Sequence, residues 1–201
     1  MDRTESKVTS EGTALSALML AAVLIFSAVI VSCHGGEFPM RAYERAYGQM
    51  IDGDYKSAAA SFRRLSESSP AYPEIWYGWG TCLMETERYA QAVQAFSKAA
   101  DLYGNSVLYD DKAGLRRDAM TAIGEVYLMQ GDLMSAEAEF VKCLSERVDT
   151  DTVIAISATY IRMGYADRVM PFLAGQGLEE TAAIVFPFWE EEKELRHGSF
   201  N

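Results

Sequence analysis

Few side chains in this chain of 201 residues are of the types that carry out nucleophilic or metal chemistry. It has three cysteines and two histidines, and neither histidine is spaced to activate a thiol, because His34 directly follows Cys33 and His197 lies near the C-terminal end. The sequence contains no G-x-S-x-G motif, phosphate-binding loop, H-E-x-x-H motif or calcium-loop spacing. We expect Cys82 and Cys143 to be free and to pack as small apolar residues rather than to form a disulfide. The sequence therefore predicts no enzymatic activity, no metal site and no cofactor.

Cys33 stands just beyond the end of an uncharged apolar segment. Residues 14–31 read ALSALMLAAVLIFSAVIV, which is near the lower limit for crossing a hydrocarbon core of about 30 Å. Arg3 and Lys7 precede this segment, as in a secretory signal, and Ser32 supplies a small residue before the cysteine. The Cys33 thiol would therefore lie at the edge of a bilayer, where a lipid could alkylate it.

The tetrapeptide Ile-Val-Ser-Cys at residues 30–33 resembles the lipobox of bacterial lipoproteins. The resemblance implies cleavage before Cys33 and several acyl chains, which anchor a domain firmly because each buried methylene adds roughly 0.8 kcal/mol. It also permits delivery to the outer membrane, since His34 stands where an Asp would retain a lipoprotein in the inner membrane. Two alternatives stay open, an uncleaved anchor in the inner membrane and cleavage without lipid, because acidic residues outnumber basic ones before the apolar segment.

The charge balance excludes one large class of partner. There are 29 Asp and Glu residues against 18 Lys and Arg residues, a net charge of -11 and a pI near 4.7. Such a protein repels phosphate backbones, so we expect no binding of nucleic acid. With 49% apolar residues the chain can bury a core, and its stretches rich in Ala, Met, Glu and Leu favour helices. The sequence predicts an all-α fold.

After the apolar segment the sequence repeats itself. Three copies of an Ala-x-x-x-Phe pattern occur; the alanines are Ala58, Ala92 and Ala136, and the phenylalanines are Phe62, Phe96 and Phe140. About ten residues are inserted before the third copy, at 104–116. Gly80 and Gly124 precede the second and third copies, where a small residue lets two helices approach closely. We expect the phenylalanines to fill the space between neighbouring helices.

This pattern resembles the tetratricopeptide repeat, a helix-turn-helix unit of 34 residues whose second helix carries A-x3-F. The resemblance implies a solenoid of three to four stacked helix pairs over residues 40–174. In the fourth pair we expect Pro171 to remove a hydrogen bond from the second helix. Around the solenoid we predict a signal peptide or anchor helix at residues 1–32, a lipidation cysteine and tether at 33–39, and capping helices at 175–201, broken at Pro187.

In this family the first helix of each repeat lines a concave groove that holds a segment of a partner protein. The resemblance implies a groove that is aromatic, apolar and acidic, formed by Tyr43, Glu44, Tyr47, Met50, Glu74, Tyr77, Thr81, Met84, Glu85, Asp118, Thr121, Glu125 and Leu128, with Ile154, Ala158 and Ile161 from the fourth repeat. Tyr and Met suit an adaptable surface, and carboxylates suit a basic or amphipathic partner. Alternatively, the Tyr and Met side chains pack locally and the acids form a solvated face.

Two functions fit these features. The first is a scaffold of the bacterial cell envelope, anchored by lipid at Cys33 or by an uncleaved helix, that binds another protein. The second is an accessory protein that captures a small ligand or peptide for a transporter. A deep enclosed cavity lined by Tyr43, Tyr77 and Trp79 would favour the second function. Because three to four repeats make a shallow open arc, we predict the scaffold.

Overall fold

The computed structural model describes residues 38–107, 109–182 and 184, in which helices and short turns make up the chain and no strand occurs. The predicted signal segment, Cys33, most of the tether and the predicted break at Pro187 lie outside these residues. Within the described ranges, every helix is too short or too polar to cross a membrane.

The described helices follow one another in pairs. They are α1 (Met40–Ile51), α2 (Tyr55–Ser68), α3 (Pro73–Glu85), α4 (Tyr89–Asn105), α5 (Lys112–Met129), α6 (Leu133–Glu146), α7 (Thr150–Arg162), a 3-10 turn (Ala166–Arg168) and α8 (Val169–Gly175). From α1 to α7, each helix packs against the helix before it and the helix after it. This is the all-helical arrangement of repeated helix pairs that the sequence predicts.

A Gly-Asp dipeptide forms the turn between the two helices of the first and third pairs. Gly53 and Gly131 adopt the left-handed conformation, with φ of 79° and 73°, which glycine reaches without steric cost. The next residue, Asp54 or Asp132, caps the second helix, because its side chain accepts a hydrogen bond from a backbone N–H of the first turn. In the second pair Glu87 takes the left-handed position instead, with φ of 60°.

Contacts between glycine and phenylalanine set the spacing of the helices. Phe62, Phe96 and Phe140 are all buried. A Cβ atom added to Gly80 would lie 2.8 Å from the Phe96 ring, and one added to Gly124 would lie still closer to the Phe140 ring. The close approach predicted at these two glycines is therefore confirmed, and it leaves no room for a methyl group.

The inserted residues lengthen two neighbouring helices. The helices α4 and α5 have 17 and 18 residues, whereas α2 and α3 have 14 and 13. Arg116 fixes this extension, because its guanidinium donates to both carboxylate oxygens of Glu146 in α6 at 2.6 Å and to the carbonyl oxygen of Ala100 in α4 at 3.0 Å. The insertion thus extends both helices, with a non-helical segment at 106–107 and 109–111 between them, and Arg116 ties it to the neighbouring helices.

The fourth pair corrects one expectation. Pro171 is the third residue of α8, in the first turn, where the N–H groups of an α-helix have no intrahelical partner. The predicted loss of a hydrogen bond at Pro171 is therefore wrong. The pair is nevertheless shortened, since its second half consists of a 3-10 turn and the seven residues of α8. Residues 179–182 are helical again, and Ala182 is buried in the core.

The glycine contacts generate a stability prediction. We expect Gly124→Ala to destabilise the fold by about 1–3 kcal/mol, because the new methyl group must displace the Phe140 ring. Gly48→Ala in α1 is the matched control, since nothing lies within 4 Å of its added Cβ and alanine raises helix propensity by about 0.5–1 kcal/mol. Denaturant unfolding of residues 37–201 measures both, and a Gly124→Ala variant as stable as Gly48→Ala would contradict the packing.

A second stability prediction concerns the ring between the helices of the second pair. Phe96→Ala should lower the free energy of unfolding by about 3–5 kcal/mol, as is usual for deletion of a buried aromatic side chain. The same unfolding measurement tests it. A midpoint that hardly moved would mean that the assigned phase of the repeat is wrong.

Candidate partner-binding groove

Helices α1, α3 and α5 border an open cavity of about 350 Å³, which we call the groove cavity. Side chains of α4 form part of its floor. Its lining consists of Tyr43, Tyr47 and Met50 of α1, Glu74, Tyr77, Gly78, Thr81 and Met84 of α3, Phe96 and Tyr103 of α4, and Ala122 and Glu125 of α5. The cavity lies where the first helices of the first three pairs meet.

The structure distributes the predicted groove residues over three environments. Eight of them line the groove cavity, namely Tyr43, Tyr47, Met50, Glu74, Tyr77, Thr81, Met84 and Glu125. Glu44 and Glu85 are exposed outside its lining, and Asp118 is half-buried. Thr121 and Leu128 are buried, and Leu128 belongs to the core, so neither side chain is available to a partner. In the fourth repeat Ile154 is exposed, whereas Ala158 and Ile161 are half-buried. As partner contacts, all these residues stay predictions.

The core phenylalanines support the tyrosines of the groove cavity. Tyr43 packs edge-on against Phe62 with ring centroids 5.8 Å apart, and Tyr77 packs edge-on against Phe96 at 5.3 Å. Tyr47 stacks on Tyr43 with centroids 6.1 Å apart and is 45% exposed. Tyr43 and Tyr77 are thus held in place by the core, and Tyr47 leaves nearly half of its surface open to a partner.

Two tyrosines outside the predicted groove set also lie at the groove cavity or pack against its lining. Tyr103 lines the groove cavity, and Tyr109 packs edge-on against it with centroids 5.4 Å apart. Burial, and next the Glu74 carboxylate, raise the pKa of the Tyr109 hydroxyl. Tyr103 could have been found, because it follows Phe96 by two helical turns on one face of α4. Tyr109 lies in the insertion, for which the repeat pattern gives no position.

The environment keeps these hydroxyl groups protonated. Burial, and next the Glu74 carboxylate, raise the pKa of Tyr43 and of Tyr103 above the ordinary value. Burial, and next the carboxylates of Asp118 and Glu125, raise the pKa of Tyr77. The tyrosines therefore remain neutral hydrogen-bond donors in a negative electrostatic field.

The carboxylates around the groove cavity are not equivalent. Glu125 forms a two-point ion pair with Arg162 of α7, at 2.7 and 3.1 Å, so its charge is neutralised within the chain. Asp118 is paired with Arg117 at 3.0 Å. Glu74 is different, because its Oε2 atom is buried and has no hydrogen-bond partner among the described residues. Its charge is therefore the one in the lining that these ion pairs leave uncompensated.

The thiols of Cys82 and Cys143 are not reactive at neutral pH. Cys82 and Cys143 are free and buried, as the sequence predicts, and burial raises the pKa of each thiol to about 12. A thiol with so high a pKa is not a nucleophile at neutral pH. In the part of the chain that the structure describes, no three His, Cys, Asp or Glu side chains come together to hold a metal ion.

Comparisons with known proteins agree with this architecture. Residues 43–107 match a family model described as tetratricopeptide repeat. A crystal structure of MamA shares the fold, with a TM-score of 0.50, 18% sequence identity and 98% of each chain covered. A structure of a MamA mutant covers 72% of this chain and 75% of its own, with 16% identity and a TM-score of 0.44. The search of curated proteins found no match.

Proposed function

Because its residues 43–107 are tetratricopeptide repeats, we propose that this protein is an interaction scaffold that binds a segment of another protein in the groove cavity. Stacked helical repeats create extended concave surfaces, and such surfaces are where solenoid proteins bind their partners. The observation that supports the proposal most is the cavity itself, open to solvent and walled by tyrosine and methionine side chains. Tyrosine is enriched among the residues that dominate binding energies at protein interfaces.

The charge around the groove cavity supports a basic or amphipathic partner. Glu44 and Glu85 are exposed on α1 and α3, beside the cavity, and Glu74 lies within its wall. A partner segment with positive charges would be steered toward these carboxylates, and its apolar side chains would contact the half-buried Met50, whereas Met84 belongs to the core. An anionic ligand such as a nucleic acid would be repelled.

The shape of the cavity favours a scaffold over a small-ligand carrier. An enclosed pocket with Tyr43, Tyr77 and Trp79 converging in it would suit a carrier. Instead the groove cavity is open, and Trp79 lines a separate concavity together with Arg63 and Arg88. The tryptophan thus does not contribute to a closed binding site with the two tyrosines.

We also propose that the scaffold is anchored to a membrane of the bacterial cell envelope through Cys33. The sequence support is the tetrapeptide at residues 30–33 at the end of the apolar segment 14–31. A lipidated Cys33 would stand only a few residues before α1, so the groove cavity would be held close to the membrane surface. Such a scaffold would position or help assemble a membrane complex.

Lipidation makes a direct prediction. In a bacterial host grown with a labelled fatty acid, the wild-type chain should carry the label, and Cys33→Ser should lose it and accumulate as a heavier, unprocessed precursor. Cys143→Ser is the matched control and should keep the label, because the Cys143 thiol is buried in the repeat domain. Equal labelling of the two variants would overturn lipidation at Cys33.

Partner binding makes a second prediction. A partner is first recovered by crosslinking in membranes and then purified, and its affinity for each variant is measured. Tyr47→Ala should weaken binding by at least about 2 kcal/mol, close to 30-fold, because an exposed aromatic anchor is lost.

Met134→Ala is the control for this measurement, since Met134 is 83% exposed on the second helix of the third pair. We expect it to bind like the wild type, and circular dichroism should show equal helix content in both variants. A folded Tyr47→Ala variant with full affinity would mean that the partner uses another surface.

A further inference from the structure

The Glu74 carboxylate has one unsatisfied oxygen at the wall of the groove cavity. The residue as a whole is half-buried, but its Oε2 atom is buried without a hydrogen-bond partner among the described residues. A buried carboxylate oxygen that lacks a partner is unfavourable in the folded protein. A cation that entered the adjoining cavity would relieve this cost.

Aromatic rings surround the place that such a cation would occupy. Tyr43, Tyr47 and Tyr103 line the cavity together with Glu74, and Tyr109 packs edge-on against Tyr103. The face of a tyrosine ring attracts a positive charge, and the attraction grows when water is excluded. Burial, together with the field of the Glu74 carboxylate, raises the pKa values of Tyr43, Tyr103 and Tyr109, which places all three hydroxyls near this negative charge.

Other charges near the cavity do not offer the same opportunity. Glu125 already holds Arg162, and Asp118 already holds Arg117, so a cation at either would have to displace an existing partner. At Glu74 no lysine or arginine of the described residues takes this role. The half-buried Met50 of the lining supplies apolar contacts of the kind that the methylene stem of a long basic side chain makes.

We propose that the groove cavity receives one cationic side chain, a lysine or arginine of a basic segment of the partner protein, with Glu74 as its counter-charge and the rings of Tyr43, Tyr47 and Tyr103 around it. This proposal rests on the proposed function, because it assumes that the groove cavity is where the partner binds. It adds the chemical identity of one anchoring side chain and the residue that selects it.

The test uses the full-length chain in mild detergent and two blocked heptapeptides as probes. One peptide carries a single lysine between three alanines on either side, and the other carries norleucine in its place, which keeps the methylene stem and removes the charge. Calorimetric titration should show tighter binding of the lysine peptide. Glu74→Gln should weaken its affinity by about tenfold to a hundredfold, the usual effect of losing a charge-assisted contact.

The matched control is Glu180→Gln, which removes the same charge from an exposed position far along the sequence. It should change the affinity by less than about threefold, because exposed charges are screened. Glu74→Gln is expected to unfold at or above the wild-type temperature, since it removes a charge from a carboxylate whose Oε2 atom is buried without a hydrogen-bond partner among the described residues. Equal effects of the two substitutions, or equal binding of the two peptides by the wild type, would overturn the proposal.

A second variant keeps the carboxylate and changes a tyrosine beside the cavity. Tyr109→Phe retains the ring that packs against Tyr103 and leaves the Glu74 charge in place, so it should bind the lysine peptide at least as tightly as the wild type. Loss of binding in Tyr109→Phe would also overturn the proposal.

Two further outcomes distinguish a failure of the cation proposal from a failure of the proposed function. If Tyr47→Ala abolishes partner binding but Glu74→Gln leaves the lysine peptide bound, the partner binds in the groove cavity and the cation proposal is wrong. If Glu74→Gln releases the lysine peptide but Tyr47→Ala leaves the partner bound, the cation site stands and the partner uses another surface.

Discussion

The contact between a glycine of a first helix and a phenylalanine ring of a second helix governs how closely the helices of a pair can approach. At Gly80 and Gly124 the ring lies against the backbone of the facing helix, and there is no room for even one more carbon atom. Since protein interiors are close-packed, this spacing fixes the position of everything attached to the two helices. Buried phenylalanine rings also contact the groove side, because Tyr43 packs against Phe62 and Tyr77 packs against Phe96. Core packing and the geometry of the groove cavity therefore share one set of contacts.

The aromatic residues of the groove cavity are therefore of two kinds. Tyr43 and Tyr77 are half-buried and contact the core, so truncating either would disturb both folding and recognition. Tyr47 stacks on Tyr43 but stays largely exposed, and its ring can be removed with little loss of core contacts. A groove built in this way is rigid before its partner arrives, and less conformational entropy is lost when the partner binds.

The sequence predicts those parts of the molecule that depend on local spacing. The pattern of alanine, phenylalanine and glycine is enough to predict the repeated helix pairs, which the structure contains. It does not reveal contacts between distant residues. Arg162 neutralises Glu125 across 37 positions of sequence, and Tyr109, which packs against Tyr103, lies in an insertion that the repeat pattern does not describe. The effect of Pro171 was mistaken for a related reason, since it depends on where α8 begins.

The contacts between distant residues decide which carboxylates near the groove can attract a cation. A net charge of -11 suggests that every carboxylate near the groove would attract a basic partner. In the folded protein, however, a carboxylate that already holds an arginine must release it before it can bind another cation, and this exchange yields little net free energy. Asp118 and Glu125 fall in that class, whereas the Oε2 atom of Glu74 is buried with no hydrogen-bond partner among the described residues. If the proposed basic segment binds here, its recognition depends less on how many acids surround the groove than on which of them folding leaves unpaired.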